Sequence, residues 1–275
     1  MKVLNETQLE VAKTILESKN GRLSSLLSPE IKNLAIAWSY YSSKIEGNTY
    51  TFVETECLLK DGFTAIHKYE DAKMMKNLYN TFISELWHIN KLRRKAIIDK
   101  QTLLRLHSQL MADLLPNERR GVLRDHSVAI TATTYQPSSN PEFISHKFDE
   151  ILAKQYDFSN PIERAIYLHC NIARLQPFSD GNKRMSRLVE SLVLMNADLV
   201  PTYSCEDTDF IKYRSAIIHF YETEDYQPYA DFVLEKQIRN LQKMAPKLKQ
   251  DELIKRENGT STMYDKINKN KRGEA

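Results

Sequence analysis

The sequence predicts a mainly α-helical protein, and three observations carry that expectation. Apolar residues recur every three or four positions through most long windows, glycine and proline are scarce at seven and nine in 275 residues, and a strand-like alternation is confined to one segment. A hydrophobic content of 41% over this length is enough to bury a continuous core, as one substantial domain with appendages.

The elements follow in order. Ser28, Pro29 and Glu30 supply an N-cap, a first-turn proline and an early acid. Ile31, Leu34, Trp38, Tyr41 and Ile45 then fall on one stripe, and Gly47 ends it, so residues 29–46 are predicted as one amphipathic helix with Glu46 on its last turn. Further helices are predicted over residues 53–59, 66–92 and 99–114, the last with Leu103, Leu106, His107, Leu110 and Leu114 on one face. Between 121 and 141 the segment GVLRDHSVAITATTYQPSSNP alternates and is rich in Val, Ile and Thr, which predicts a hairpin. Helical spacing resumes near Phe143. Asn160 and Pro161 start a helix to about Leu175, Pro177 interrupts it, and Gly181 or Asn182 starts the next, to about Asn196. Helices over 207–221 and 226–244 precede a polar tail. The predicted organisation is an N-terminal helical region (1–98), a central domain (99–244) and the tail (245–275).

Several classes of protein are disfavoured. No apolar run is long enough to cross a bilayer and the first residues have no apolar signal core, so a cytoplasmic, non-membrane protein is expected. Cys57, Cys170 and Cys205 form no C-x-x-C pair, which argues against a disulfide framework or a zinc site. Residues 243–275 hold nine Lys/Arg against five Asp/Glu, so the net charge of +3 comes from the tail; a solvated terminus is preferred there to a nucleic-acid contact.

The chemistry concentrates in QPFSDGNKRMSR, residues 176–187, between two predicted helices. Gln176 continues the apolar stripe of Ile162, Ala165, Ile166, His169, Ile172 and Ala173 and therefore looks inward. Gly181 and Asn182 open a helix N-terminus, whose free N–H groups and dipole favour an anion. Arg184 and Arg187 lie three apart on the first turns, and Asp180 is a hard oxygen ligand suited to magnesium. Spacing alone leaves a solvated basic face open as well, although cations at a helix N-terminus oppose the dipole and call for an anion.

This stretch closely resembles the Fic family signature, H-x-F-x-[D/E]-G-N-[G/K]-R-x-x-R, from the Fic and Doc group of helical nucleotide transferases; it departs at the histidine, replaced by Gln176. The resemblance covers roughly residues 99–200, including LLRLHSQLM at 103–111, GVLRDHSVAI with TTYQPSSNPEFI, and IYLHCNIARLQPF. In addition, Ser42-Ser43-Lys44-Ile45-Glu46-Gly47 matches the family's inhibitory pattern [S/T]-x-x-x-E-[G/N]. The resemblance implies a helical bundle with one β-hairpin flap, ATP and magnesium as cofactors, and AMP transfer to a hydroxyl of a target protein. It implies that N–H groups around Gly181 and Asn182, with Lys183 nearby, bind the α- and β-phosphates. Arg184 would contact phosphate, Arg187 would hold the γ-phosphate and Asp180 would hold magnesium. Val128, Ala129, Ile130 and Thr131 would align a target by strand addition. The inhibitory segment, with Ser42 and Gly47 around Glu46, would place Glu46 on Arg187 and hold the enzyme off; a homo-oligomer is left open.

Two departures bear on activity. The family histidine removes the hydroxyl proton during attack, which a glutamine cannot do, although its amide can orient a hydroxyl or a water. His169, two turns earlier, reads as a satisfied core histidine. Lys183 stands where many members have glycine, as in the Doc branch, which transfers phosphate instead of AMP. The expectation is a Fic-type adenylyltransferase, autoinhibited by Glu46 and weakened or altered by Gln176. The alternatives are a Doc-like phosphotransferase or other Fic-type transferase, or a non-catalytic nucleotide-binding regulator.

Overall fold

The computed structural model describes residues 2–62, 67–204 and 206–243. Among these residues the chain forms ten α-helices: α1 (Glu6–Glu17), α2 (Ser28–Ile45), α3 (Phe52–Asp61), α4 (Tyr69–Asn90), α5 (Lys100–Leu110), α6 (Pro141–Lys154), α7 (Pro161–Leu175), α8 (Asn182–Asn196), α9 (Asp207–Thr223) and α10 (Gln227–Lys243). The predicted start at Ile66 of the helix that forms α4, residue Cys205, the Met244 end of the last helix and the 245–275 tail lie outside the described residues.

Most boundaries are set by local side chains. Asn160 caps α7 by accepting from the N–H groups of Ile162 and Glu163, and Asp99 caps α5 through Thr102 N–H. Thr51 and Glu54 form a reciprocal capping box on α3. Ser28 is not a cap: α2 begins one residue earlier than its expected cap allows, and the Glu30 carboxylate accepts from Leu27 N–H at 2.7 Å instead. The sequence reading passed over α1, which is started by a capping box between Asn5 and Gln8.

Helices α7 and α8 form the most extensively packed pair, α2 packs chiefly on α4 and also touches α8, and α9 and α10 pack on each other and on α7. The packing of α7 and α8 is mainly apolar, with Ile162, Ile166, Leu168, Ile172, Met185, Leu188 and Leu192 all buried, and is crossed by the polar contact of His169 with Glu190. Trp38 of α2 stacks on Phe82 of α4 with ring centroids 4.6 Å apart, and both are buried. This contact fixes the helix whose end carries Ser42 and Glu46. No described helix is long and apolar enough to cross a membrane.

The predicted flap hairpin does not form. Residues 121–140 contain no strand; the segment is an irregular loop, and the bridge between Arg22 and Leu199 is the isolated β contact among the described residues. The reason lies in Arg124. Its buried guanidinium donates to the carbonyls of His126 (2.5 Å) and Ser138 (2.7 Å) within the segment and of Gln176 (2.6 Å) and Leu175 (3.4 Å) at the end of α7, so a side chain takes two acceptors that a ladder could have used and ties the loop to α7. The alternation of burial is real even so: Ile130 is buried while Ala129 and Thr131 are exposed.

Candidate functional site

Two helix ends and one loop build the site. Gln176 ends α7 in the left-handed region (φ 51, ψ 59), reversing the chain into Pro177 and Phe178. Asn182 then clamps the turn, its amide donating to Phe178 O and its Oδ1 accepting from Phe178 N, both at 2.8 Å. Gly181 caps α8 with φ 76, a conformation that suits glycine, and a Cβ there would lie 2.6 Å from Met111 Sδ. The N-terminus of α8 is thereby fixed against α5, with Arg184 and Arg187 of its first turns buried.

His107 of α5 supports this loop from below. Its Nδ1 accepts from Gly121 N–H at 2.9 Å, so its proton sits on Nε2, 3.0 Å from Asp180 O. The ring stacks on Phe178 at 3.9 Å and 6°. Burial lowers its pKa to about 4, against the opposing hydrogen bond to Asp180, so it is neutral at physiological pH. Sequence reasoning placed His107 on the apolar face of α5 but assigned it no role; its partners lie in loops that spacing does not connect.

At the mouth of the loop the charges are paired. Asp180 Oδ2 accepts from Arg184 at 2.7 Å and Oδ1 from Gly181 N–H at 2.6 Å. Burial would raise the Asp180 carboxyl, but Arg184 and the Gly181 N–H outweigh it and hold the group below the usual carboxylate range. Arg184 is buried, and its Nε and Nη1 have no hydrogen-bond partner. Unsatisfied donors on a buried cation at a helix N-terminus fit an anionic oxygen group such as phosphate. Asp180 remains largely exposed at its carboxylate and fits magnesium as a single protein ligand beside phosphates.

Arg187, two turns into α8, faces α2. Its Nε donates to Ser42 Oγ (2.9 Å), its Nη2 to Ser42 O (3.0 Å) and to Glu46 Oε1 (2.6 Å), and its Nη1 to Tyr213 OH (3.3 Å). Lys183 Nζ lies 3.9 Å from Glu46 Oε2. Burial alone would raise the Glu46 carboxyl; Arg187, then Lys183 and Arg184, outweigh it and keep the acid ionised. Arg187 is shifted the other way: burial pulls its pKa down, Tyr213 and Glu46 push it up, and the cation is retained.

A cavity of about 300 Å³ opens beside this pair, lined in part by Glu46, Gly47, Ile130, Thr131, Lys183 and Tyr213. The structure thus brings together the predicted inhibitory residues, part of the predicted flap and the start of α8. Val128, Ala129 and Gln176 are not among the lining residues. Gln176 is buried, and its amide donates to Ala173 O at 2.6 Å, the carbonyl one turn back in α7. His169 is also buried, as expected of a core histidine, but only half satisfied: its Nε2 lies 3.1 Å from Tyr213 OH, while its Nδ1 lies 2.8 Å from Glu190 without an aligned hydrogen bond.

Comparison with known proteins gives a consistent picture. Residues 97–194 match the model of the Fic/DOC family. The protein adenylyltransferase fic-1 of Caenorhabditis elegans is 25% identical over 228 residues, 80% of this chain and 43% of the relative. The protein adenylyltransferase Fic of Drosophila persimilis is 26% identical over 232 residues, 79% and 43%. This chain therefore matches less than half the length of these relatives. Among solved structures, a Fic family protein from Desulfovibrio desulfuricans G20 superposes with a TM-score of 0.74 at 18% identity, covering 87% of this chain and 74% of the other. Fic-1 from C. elegans superposes at 0.65 and 19% identity, covering 86% and 69%. These likenesses establish the fold, and the match to the Fic/DOC family model is to a domain at residues 97–194.

Proposed function

We propose that this protein is a Fic-type adenylyltransferase that moves AMP from ATP to a hydroxyl of a target protein, held off by Glu46 and slowed or altered by Gln176. The observation that carries this reading is the engagement of Arg187 by Ser42 and Glu46, at 2.6 Å for the acid. A nucleotide whose γ-phosphate needs Arg187 must first displace that carboxylate, and the carboxylate repels phosphate while it stays. The naming of relatives as protein adenylyltransferases at about 25% identity supports the same reaction class.

In this reading the donors of Arg184 and the N–H groups opening α8 orient the triphosphate. Magnesium, held by Asp180, would neutralise phosphate charge. The target hydroxyl oxygen forms a bond to the α-phosphorus, the bond to the bridging oxygen breaks, and pyrophosphate leaves. The hydroxyl proton has no basic acceptor at position 176, so it passes to solvent, and the contribution of general base catalysis, typically about 10² to 10⁴ in rate, is forgone. The target backbone would pair with the loop stretch from Val128 to Thr131, which carries no strand pairing of its own among the described residues.

A second reading is favoured by the amide of Gln176, which is spent on Ala173 O: a regulator that binds nucleotide without turning it over. Intact mass after incubation with Mg-ATP and a cell lysate separates the two, comparing Glu46→Gly with Glu46→Gly/Gln176→His. An AMP-sized addition by the Gln176 form supports the adenylyltransferase. A phosphate-sized addition points instead to a Doc-like phosphotransferase. Modification confined to the histidine form, or absent from both despite ATP binding, supports the regulator.

A further inference from the structure

Arg187 makes four hydrogen bonds among the described residues, and three of them go to α2 and its cap: two to Ser42 and one to Glu46. The fourth goes to Tyr213 on α9, the acceptor that does not depend on where α2 sits. Behind Tyr213 stands a buried chain. Tyr213 OH lies 3.1 Å from His169 Nε2, His169 Nδ1 lies 2.8 Å from Glu190 Oε2, and the same Glu190 oxygen accepts from Tyr229 OH at 2.7 Å. The chain ties α7, α8, α9 and α10 together behind one guanidinium.

The direction of every proton in it is fixed by chemistry. A guanidinium only donates, so Arg187 Nη1 gives its hydrogen to the Tyr213 oxygen. A carboxylate only accepts, so His169 carries its proton on Nδ1, facing Glu190. Burial disfavours a second proton on the ring, which leaves Nε2 bare to accept from Tyr213 O–H. The phenol therefore has its single proton committed to His169, and its lone pairs are turned towards Arg187. The His169–Glu190 link is a 2.8 Å charge contact and not a well-aligned hydrogen bond, and Glu190 is 18% exposed, yet such a mostly buried chain still restrains its terminal group more than a lone contact would.

We infer that Tyr213 is a positioning residue that keeps Arg187 aimed at the nucleotide once Glu46 has withdrawn, with His169 and Glu190 fixing the phenol behind it. The inference rests on the reading of Arg187 as the γ-phosphate ligand given under Proposed function. Tyr213→Phe isolates the effect, because it removes the hydroxyl and retains the ring, 5.8 Å from the Arg187 carbon. Without its anchor the guanidinium gains freedom that a γ-phosphate must pay to remove, while a nucleotide lacking that phosphate is indifferent.

The test is equilibrium binding of Mg-ATP and Mg-ADP to the full chain in a Glu46→Gly background, with and without Tyr213→Phe, and with Arg187→Ala as reference. The expected result is a fall of about tenfold in the ratio of ATP to ADP affinity on losing the hydroxyl, equivalent to about 1.4 kcal/mol, with ADP binding unchanged. A lower melting temperature alone, with the ratio intact, reflects a merely structural tyrosine and overturns the inference. If Arg187→Ala leaves the ratio intact too, the γ-phosphate reading itself falls and takes the inference with it; if only Arg187→Ala collapses the ratio, the inference alone is wrong. Should Tyr213→Phe fail to fold, Glu190→Gln, nearly isosteric, decides: a shift of about threefold in the same direction supports the chain, and no shift overturns it.

Discussion

Arg187 Nη2 lies 2.6 Å from Glu46 Oε1, although the two residues are 141 positions apart in the chain, and the arginine side chain is 3% exposed. The cation is buried too deeply to find another counter-ion in solvent. Glu46→Gly should therefore destabilise the free protein by about 2 kcal/mol, below the roughly 3–5 kcal/mol of a fully buried broken pair because the acid is itself 15% exposed. Mg-ATP should restore the loss by occupying the vacated cation. Thermal melts with and without nucleotide check both halves; a variant as stable as the parent and indifferent to ATP contradicts them.

Acid should not open this clamp under ordinary conditions. Because the folded-state pKa of Glu46 is depressed, its stabilising contribution is present above the unfolded carboxylate value of 4.5 and is lost only as pH falls through the lower folded value. Nucleotide affinity of the unmodified protein should stay low and flat between about pH 5 and 8. A rise in affinity near neutrality would mean that some other group controls the clamp.

Stability should nevertheless fall on mild acidification, through His107. With a folded pKa of about 4 against an ordinary 6.5, the unfolded chain takes up the proton first. Its contribution is complete above 6.5 and declines as pH drops towards 4, by up to about 3 kcal/mol. His169 is shifted in the same direction by burial, so His107→Asn should flatten the slope in part without abolishing it. Urea midpoints across this window give the measurement.

Asn182→Ala removes both hydrogen bonds that close the loop on Phe178 and leaves that backbone pair short of partners. The expected cost is about 1–3 kcal/mol, read from chemical denaturation. An effect below a few tenths would show that the turn is held by Gln176 and Gly181 without it.

Arg124→Met should act at two places at once. Its guanidinium serves carbonyls in the 121–140 loop and at the end of α7, with no carboxylate close by to offset its burial. Hydrogen exchange is expected to quicken throughout residues 121–140 and at 175–178. Acceleration limited to the loop would separate it from the α7 terminus.

What the sequence made legible follows from what periodicity can report. Boundaries marked by Asn160-Pro161 and by Gly181 are written in cap residues that act within a few positions, and the structure has them in place. Helix α1 was passed over because its capping box precedes a segment that buries only Gln8, Ala12 and Ile15. The loop at 121–140 misled for a related reason: alternation tells which side chains turn inward, and Ile130 does, but it cannot tell whether a second strand lies alongside. The proximity of Glu46 to Arg187 came from resemblance of motifs, since no spacing rule spans such a distance. Tyr213, His107 and Arg124 acquire their importance from hydrogen bonds across the fold, to which one-dimensional patterns are blind.

Trp38 gives the molecule its own optical gauge. The sequence holds two tryptophans, and Trp38, sealed against Phe82 one helical turn before Ser42, is the one buried; Trp87 is 48% exposed. If only the Glu46 side chain swings aside when nucleotide enters, the ring stays sealed and the blue component of emission persists. If α2 itself lifts away, that emission moves red in step with occupancy. A fluorescence titration thus separates a moving side chain from a moving helix without any label.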